Sequence, residues 1–117
     1  MWIPSTGVKV YLGLGKTDMR KSIDSLSVLV SSYLEQNPFS GHLFAFCNGR
    51  RTILKILYWD RNGFCLWHKR LEKNRFRWPE SEEQLRELSA RELGWLLEGL
   101  DIEQAQCHGD LEYDTVY

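Results

Sequence analysis

Between Leu43 and Trp78 the chain repeats one pattern: a short run rich in β-branched and aromatic residues, then a cluster of turn-forming residues. The runs are Leu43–Cys47, Ile53–Trp59, Phe64–Leu71 and Phe76–Trp78. Between them lie Asn48-Gly49-Arg50-Arg51, Asp60-Arg61-Asn62-Gly63 and Glu72-Lys73-Asn74-Arg75. Asn48-Gly49 and Asn62-Gly63 suit tight turns, because both residue types tolerate positive φ. This spacing predicts an antiparallel meander, which Pro79 should end.

The flanks read as helical. Val8–Leu12 is a short first strand, followed by turn glycines at Gly13 and Gly15. Asp18 is placed to cap a helix running to about Gln36, with Ile23, Leu26, Leu29, Val30, Tyr33 and Leu34 on one face. Arg20 and Lys21 lie at helical spacing from Asp24 and are expected to pair with it. Asn37-Pro38 stops that helix. Later, Ser89 with Glu92 makes a capping-box pattern for a helix through Glu98, and Gly99 is its stop. The expected fold is α+β: an antiparallel meander sheet of four to five strands, with one helix before it and one after it. Residues 1–101 would form that single domain and residues 102–117 an acidic, partly disordered tail.

Alternation along the strands fixes which side chains share a face. With these turns Trp59 lies across from Phe64, Leu57 from Leu66 and Lys55 from His68. Phe44, Phe46, Ile53, Arg70 and Arg77 join that first face. The second gathers Leu43, Leu54, Ile56, Tyr58, Cys65, Trp67, Leu71, Phe76 and Trp78, with Lys69 as an exception. Being the more apolar, it is the expected floor for both helices. The first face mixes aromatics with cations, as sheets that stack bases and track phosphates do. Its aromatics would equally serve as a second core layer, with the basic stems lying over it.

Charge is sorted along the chain. Arg50 to Trp78 holds nine basic residues against two acidic, whereas Pro79 to Tyr117 holds two basic against eleven acidic. A basic surface with an anionic partner and two mutually attracting halves both fit this pattern. With 43% apolar residues, 117 residues suffice for one core. No run is long and apolar enough for a membrane span, and no signal peptide is visible. Three cysteines at irregular spacing do not suggest a disulfide framework, so a cytoplasmic protein with reduced thiols is expected.

Catalytic patterns are missing. Gly15-Lys16-Thr17 would need a glycine five positions before Gly15 to be a phosphate loop, and Val10 stands there. Cys65 and His68 are three apart on a strand and point to opposite faces, which disfavours a shared metal. Asp60 is the one carboxylate inside the strand runs, too few for a two-metal acidic site. No enzyme activity, cofactor or metal is expected.

Several stretches are more specific than these generic patterns. They include Thr17-Asp18-Met19-Arg20-Lys21, Pro38-Phe39-Ser40-Gly41-His42-Leu43-Phe44-Ala45-Phe46, Lys55-Ile56-Leu57-Tyr58-Trp59-Asp60, Lys69-Arg70-Leu71-Glu72, Arg75-Phe76-Arg77-Trp78-Pro79 and Leu96-Leu97-Glu98-Gly99-Leu100-Asp101. Together, in order from about Val8 to Asp101, they resemble the accessory proteins of insertion sequences of the IS sixty-six family, often called TnpB or the second open reading frame product. The resemblance implies a role in transposition beside a separate, larger transposase, and it brings no catalytic residues with it. On this basis the expected partners are DNA and the element's transposase. Candidate phosphate contacts are Arg50, Arg51, Lys55, Arg61, Lys69, Arg70, Lys73, Arg75 and Arg77, with Trp59 or Trp67 as candidate stacking residues. The alternative is a module that docks onto the transposase without touching DNA.

Overall fold

Leu43–Cys47 form strand β2, and none of its five side chains is more than 1% exposed. A strand buried on both faces needs a pairing partner on each edge and a layer over each face. The computed structural model, which describes residues 7–81 and 83–100, shows how the chain supplies all four. On one edge β3 (Ile53–Asp60) pairs antiparallel with β2, and β4 (Gly63–Arg70) continues the meander. On the other edge β1 (Val10–Gly13) pairs in parallel, and β5 (Leu85–Leu88) pairs antiparallel with β1. The strand order is therefore β4-β3-β2-β1-β5. Helices α1 (Ile23–Ser32) and α2 (Ala90–Leu97) complete an α+β architecture.

The sheet is thus mixed, not the antiparallel meander expected from sequence. Parallel neighbours cannot be joined by a tight turn. The first helix therefore does not precede the sheet: α1 is the connection that carries the chain from β1 to β2. Within the hairpin the expected register holds, with Trp59 opposite Phe64, Leu57 opposite Leu66 and Lys55 opposite His68. Its tip differs in detail. Asp60 pairs with Gly63, so Arg61 and Asn62 form the two-residue loop, and Arg61 takes the positive φ of 54°.

Phe76–Trp78, expected as a strand, is an extended segment outside the sheet. The Leu71 and Phe76 N–H groups donate to the carbonyls of Thr52 and Arg51 at 2.8 and 2.7 Å, anchoring the segment beside the β2–β3 turn. The Trp78 indole N–H donates to the Gly13 carbonyl at 3.3 Å. Alternation sends Phe76 and Trp78 into the core and leaves Arg75 and Arg77 in water. Pro79 accordingly does not end the sheet; the chain goes on to β5.

The predicted division of side chains between the two sheet faces holds, except that Arg77 is exposed and belongs to neither core layer. The cover differs, because the helices lie on opposite faces. Leu26, Val30 and Leu34 of α1 and the residues just after it pack on Tyr11, Phe44, Phe46 and Leu57. Leu93 and Leu96 of α2 join Phe76 and Trp78 over Leu43, Ala45, Leu54 and Ile56. Each fully buried Leu or Val contributes about 1.5–3 kcal/mol of apolar burial. The first face thus completes a second core layer, as one of the two sequence readings had it.

The helix ends follow local chemistry. Ser89 Oγ accepts from the Glu92 N–H, and Glu92 Oε1 accepts from the Ser89 N–H, which is the capping box foreseen for α2. Gly99, at φ 83°, lets the chain leave the helix. α1 is shorter than expected and begins after Ser22, not Asp18. Asp18 instead accepts from the Arg20 backbone N–H and grips the Arg20 guanidinium, with the shortest contact at 2.7 Å. Those hydrogen bonds hold the Asp18 carboxyl down at about 2, and neither Arg20 nor Lys21 forms the expected ion pair with Asp24. The single-domain boundary at residue 101 and the acidic tail at 102–117 lie outside the described residues.

Gly13 marks a close approach, because a Cβ there would come within 2.8 Å of Cδ1 of the fully buried Phe46. Gly13→Ala should cost about 1–3 kcal/mol, since the added methyl overlaps a ring packed in the core and either ring or backbone must shift. Urea denaturation of the two proteins measures it. Equal midpoints would show that the core yields at this point.

Candidate nucleic-acid interface

The parallel pairing of β1 with β2 has a consequence for charge. It brings the end of β1, the β2–β3 turn, the end of β4 and the segment after it to one end of the sheet. Contacts between the loops tie that end together. The Thr17 N–H donates to the Cys47 carbonyl at 2.8 Å, and Arg51 Nη1 donates to the Gly15 carbonyl at 2.7 Å. In the turn itself, Asn48 Oδ1 accepts from the Thr52 and Ile53 N–H groups, both at 2.9 Å. Arg51 sits at φ 62°. The Lys16 stem passes beside Gly49, where an added methyl group would lie 3.5 Å from its Cδ.

The result is a cationic end built from Lys16, Arg50, Arg51, Lys73, Arg75 and Arg77. Four of these, Arg51, Lys73, Arg75 and Arg77, line an open groove of about 760 Å³, with buried Phe76 and Trp78 beneath and Glu80 and Glu98 also in its wall. Among the described residues, Arg50, Lys73, Arg75 and Arg77 have no ion-pair partner within 4 Å. A cluster of unpaired cations raises the local positive potential and favours an anionic ligand.

The remaining candidates are dispersed. The Lys55 ammonium donates to the carbonyls of Met19 and Lys21 at 2.8 and 2.9 Å, so it braces the loop that enters α1. Lys69 donates to the Leu97 carbonyl at 2.9 Å and satisfies an orphan carbonyl at the end of α2. Arg70 pairs with Glu72 at 2.9 Å in an exposed contact of little net worth. Arg61 is at the opposite end of the hairpin, where Trp59 packs edge-on against Phe39 and Phe64 with ring centroids 5.1 and 5.0 Å apart. Trp67 is half-buried against the core beneath α2. Lys16 escaped the sequence reading, which took the Arg50–Trp78 segment as the basic unit. Its position follows from β1 pairing beside β2, a contact between segments more than 30 residues apart.

No catalytic arrangement emerges from the described residues. No three His, Cys, Asp or Glu side chains among them converge as metal ligands would. The pocket beside Gly15-Lys16-Thr17 holds about 180 Å³ and mixes Lys16, Thr17, Asp18 and Lys21 with Leu29, Tyr33 and Phe46. Burial pushes the Cys47 thiol up to about 11, an effect the nearby Arg51 guanidinium only partly offsets. No helix among the described residues is long and apolar enough to cross a membrane.

Fold and charge together define a small α+β protein that gathers Lys16, Arg50, Arg51, Lys73, Arg75 and Arg77 at one end of a mixed sheet. Residues 8–107 match the family described as IS66 Orf2 like protein, and the chain belongs to that family. It is 38% identical over 99 residues to uncharacterized protein y4hO of Sinorhizobium fredii (strain NBRC 101917 / NGR234), which spans 85% of this chain and 86% of that one. Uncharacterized protein y4jC of the same strain is 33% identical over 98 residues, 84% of each chain. No solved structure matches.

In the folded protein Cys47 should react with iodoacetamide at pH 8 roughly 100-fold more slowly than an unperturbed thiol, because little thiolate forms. Mass spectrometry of native and urea-unfolded protein checks this. Equal labelling of Cys47 in both states would contradict its burial.

Proposed function

We propose that this protein is an accessory factor in transposition of a bacterial insertion sequence, and that it contacts DNA through its cationic end. Family membership supports the process, since the family is described by an open reading frame of the IS66 element. The observation that carries the DNA contact is the convergence of Lys16, Arg50, Arg51, Lys73, Arg75 and Arg77 from three separate loops, four of them without a partner among the described residues. Arginine and lysine heads at such a surface bind phosphate oxygens and release condensed counterions, which favours binding irrespective of base sequence. Chemistry on the DNA would then fall to the element's separate transposase.

A second reading, docking onto that transposase, is supported by the other end of the sheet. There Phe39 is 57% exposed and packs on Trp59 and Phe64 beside Arg61. Exposed aromatics next to an arginine are the composition of interaction hot spots. The two readings use opposite ends and are compatible.

Replacing both Arg75 and Arg77 with alanine should weaken DNA binding by about tenfold or more at low salt, as expected when two phosphate contacts are lost. Anisotropy titration of a labelled DNA measures it, and unaltered affinity would remove the DNA reading. Phe39→Ala should reduce co-purification with the transposase after nuclease treatment. Retention at the wild-type level would count against docking through this patch.

A further inference from the structure

The two forms of DNA ask different things of a protein surface. Proteins that hold single strands without sequence preference combine cations with aromatic faces on which bases stack. A duplex keeps its bases stacked inside and offers phosphates at about 1.7 Å of axis per charge, twice the density of one strand. Where the exposed aromatics lie relative to the cations therefore distinguishes the two ligands.

In the groove lined by Arg51, Lys73, Arg75 and Arg77 no ring among the described residues is open to stacking. Phe76 and Trp78, interleaved in sequence with Arg75 and Arg77, are 2% and 6% exposed. Trp78 is also fixed by its indole hydrogen bond to Gly13. Trp67 lies half-buried against the core layer beneath α2. Among the described residues Tyr33, 44% exposed, lies outside that groove in a pocket it shares with Lys16, while Phe39, Trp59 and Phe64 form an aromatic cluster at the far end of β3 and β4. Eight strand residues separate that end from the β2–β3 turn, a distance of about 25 Å. Only Arg61 accompanies them among the proposed cations. The aromatic cluster and the arginine-lined groove thus occupy opposite ends of the sheet, which is the reverse of what a single-strand groove requires.

The exposed cations also project in a way that suits a backbone ridge. Arg75 and Arg77 are on one side of an extended segment, about 7 Å apart by strand geometry, while Phe76 and Trp78 point away into the core. Glu80 and Glu98 share the groove wall and repel phosphate from its interior. Contact is therefore along the cationic rim, where the loops of β1–α1 and β2–β3 add Lys16 and Arg50.

Resting on the DNA-contacting reading, we propose that the ligand of the cationic end is the phosphate backbone of double-stranded DNA, held from outside without base stacking. The experiment compares a short duplex with either of its strands alone, by anisotropy across a salt series, using the full chain. Wild type should hold the duplex about tenfold more tightly than the single strand at low salt, following the difference in charge density. The duplex salt slope should become shallower by about two in the Arg75→Ala/Arg77→Ala protein, one for each lost phosphate contact. Glu98→Gln, which removes a repelling carboxylate, should tighten duplex binding, and Trp59→Ala should leave it unchanged. A single strand bound as tightly as the duplex, or a tenfold loss on Trp59→Ala, would overturn the proposal while leaving the DNA-contacting reading in place. Absence of binding to either form at the lowest salt would remove both. Circular dichroism of each variant confirms that altered binding is not altered folding.

Discussion

Everything in this fold follows from the burial of β2 on both faces. Leu43, Ala45 and Cys47 point one way and Phe44 and Phe46 the other, and all five are inaccessible to water. A hairpin alone can give such a strand one neighbour and one half-covered face. The second edge is filled by β1, which runs parallel and so requires a long connection, and α1 is that connection. Laid over Phe44 and Phe46, α1 closes the first face. The opposite face is closed in two pieces, Phe76 and Trp78 from the crossing segment and Leu93 and Leu96 from α2. The positions of the loops, and hence of the charges, are consequences of this one requirement.

What was legible in the sequence was local. The β3–β4 register depends on alternation and a short turn, and the division of side chains between the faces follows from it. The α2 capping box needs only Ser89 and Glu92, three residues apart. What was not legible depends on partners distant in the chain. Phe76–Trp78 has the composition and alternation of a strand, yet it is tied to the β2–β3 turn through the Phe76 N–H and packs its rings over the second face of the sheet. β5 is Leu85-Arg86-Glu87-Leu88, with no β-branched or aromatic residue, and it is a strand because β1 offers it an open edge. At Asp18 the nearer competitor won: its carboxylate is occupied by Arg20 and cannot cap the helix.

The same logic separates the cations. Lys55 and Lys69 are in strand interiors, where a charged head has no water directly above it. Each extends along the apolar layer to backbone carbonyls, Lys55 to those of Met19 and Lys21, Lys69 to that of Leu97. They therefore serve as caps for the segments that flank the two helices, on opposite faces of the sheet. Arg50, Lys73, Arg75 and Arg77 are in turns or on the outer side of the crossing segment, where the head stays solvated and unpaired. A count of basic residues between Arg50 and Trp78 adds these two kinds together, although only the second is available to a ligand.

The separation has a physical cause in the strand period. A residue two positions along a strand returns to the same face, so a strand that alternates apolar with basic residues must either bury cations or leave one face open. In β3 this chain does neither, because α1 covers the face that holds Lys55 and the lysine is turned to carbonyls, whereas His68 and Arg70 of β4 stay exposed. The alternation Arg75-Phe76-Arg77-Trp78 avoids the conflict differently. The segment pairs with no strand, so its apolar side alone meets the protein and its basic side alone meets solvent. Leaving the sheet is thus what allows this stretch to complete the core and to present adjacent arginines outward at the same time. Had Phe76–Trp78 paired as a further strand beside β4, the arginines would lie on the α1 side of the sheet, away from Lys16 and the β2–β3 turn. The cationic end therefore owes its composition to the same crossing that closes the hydrophobic layer over β2.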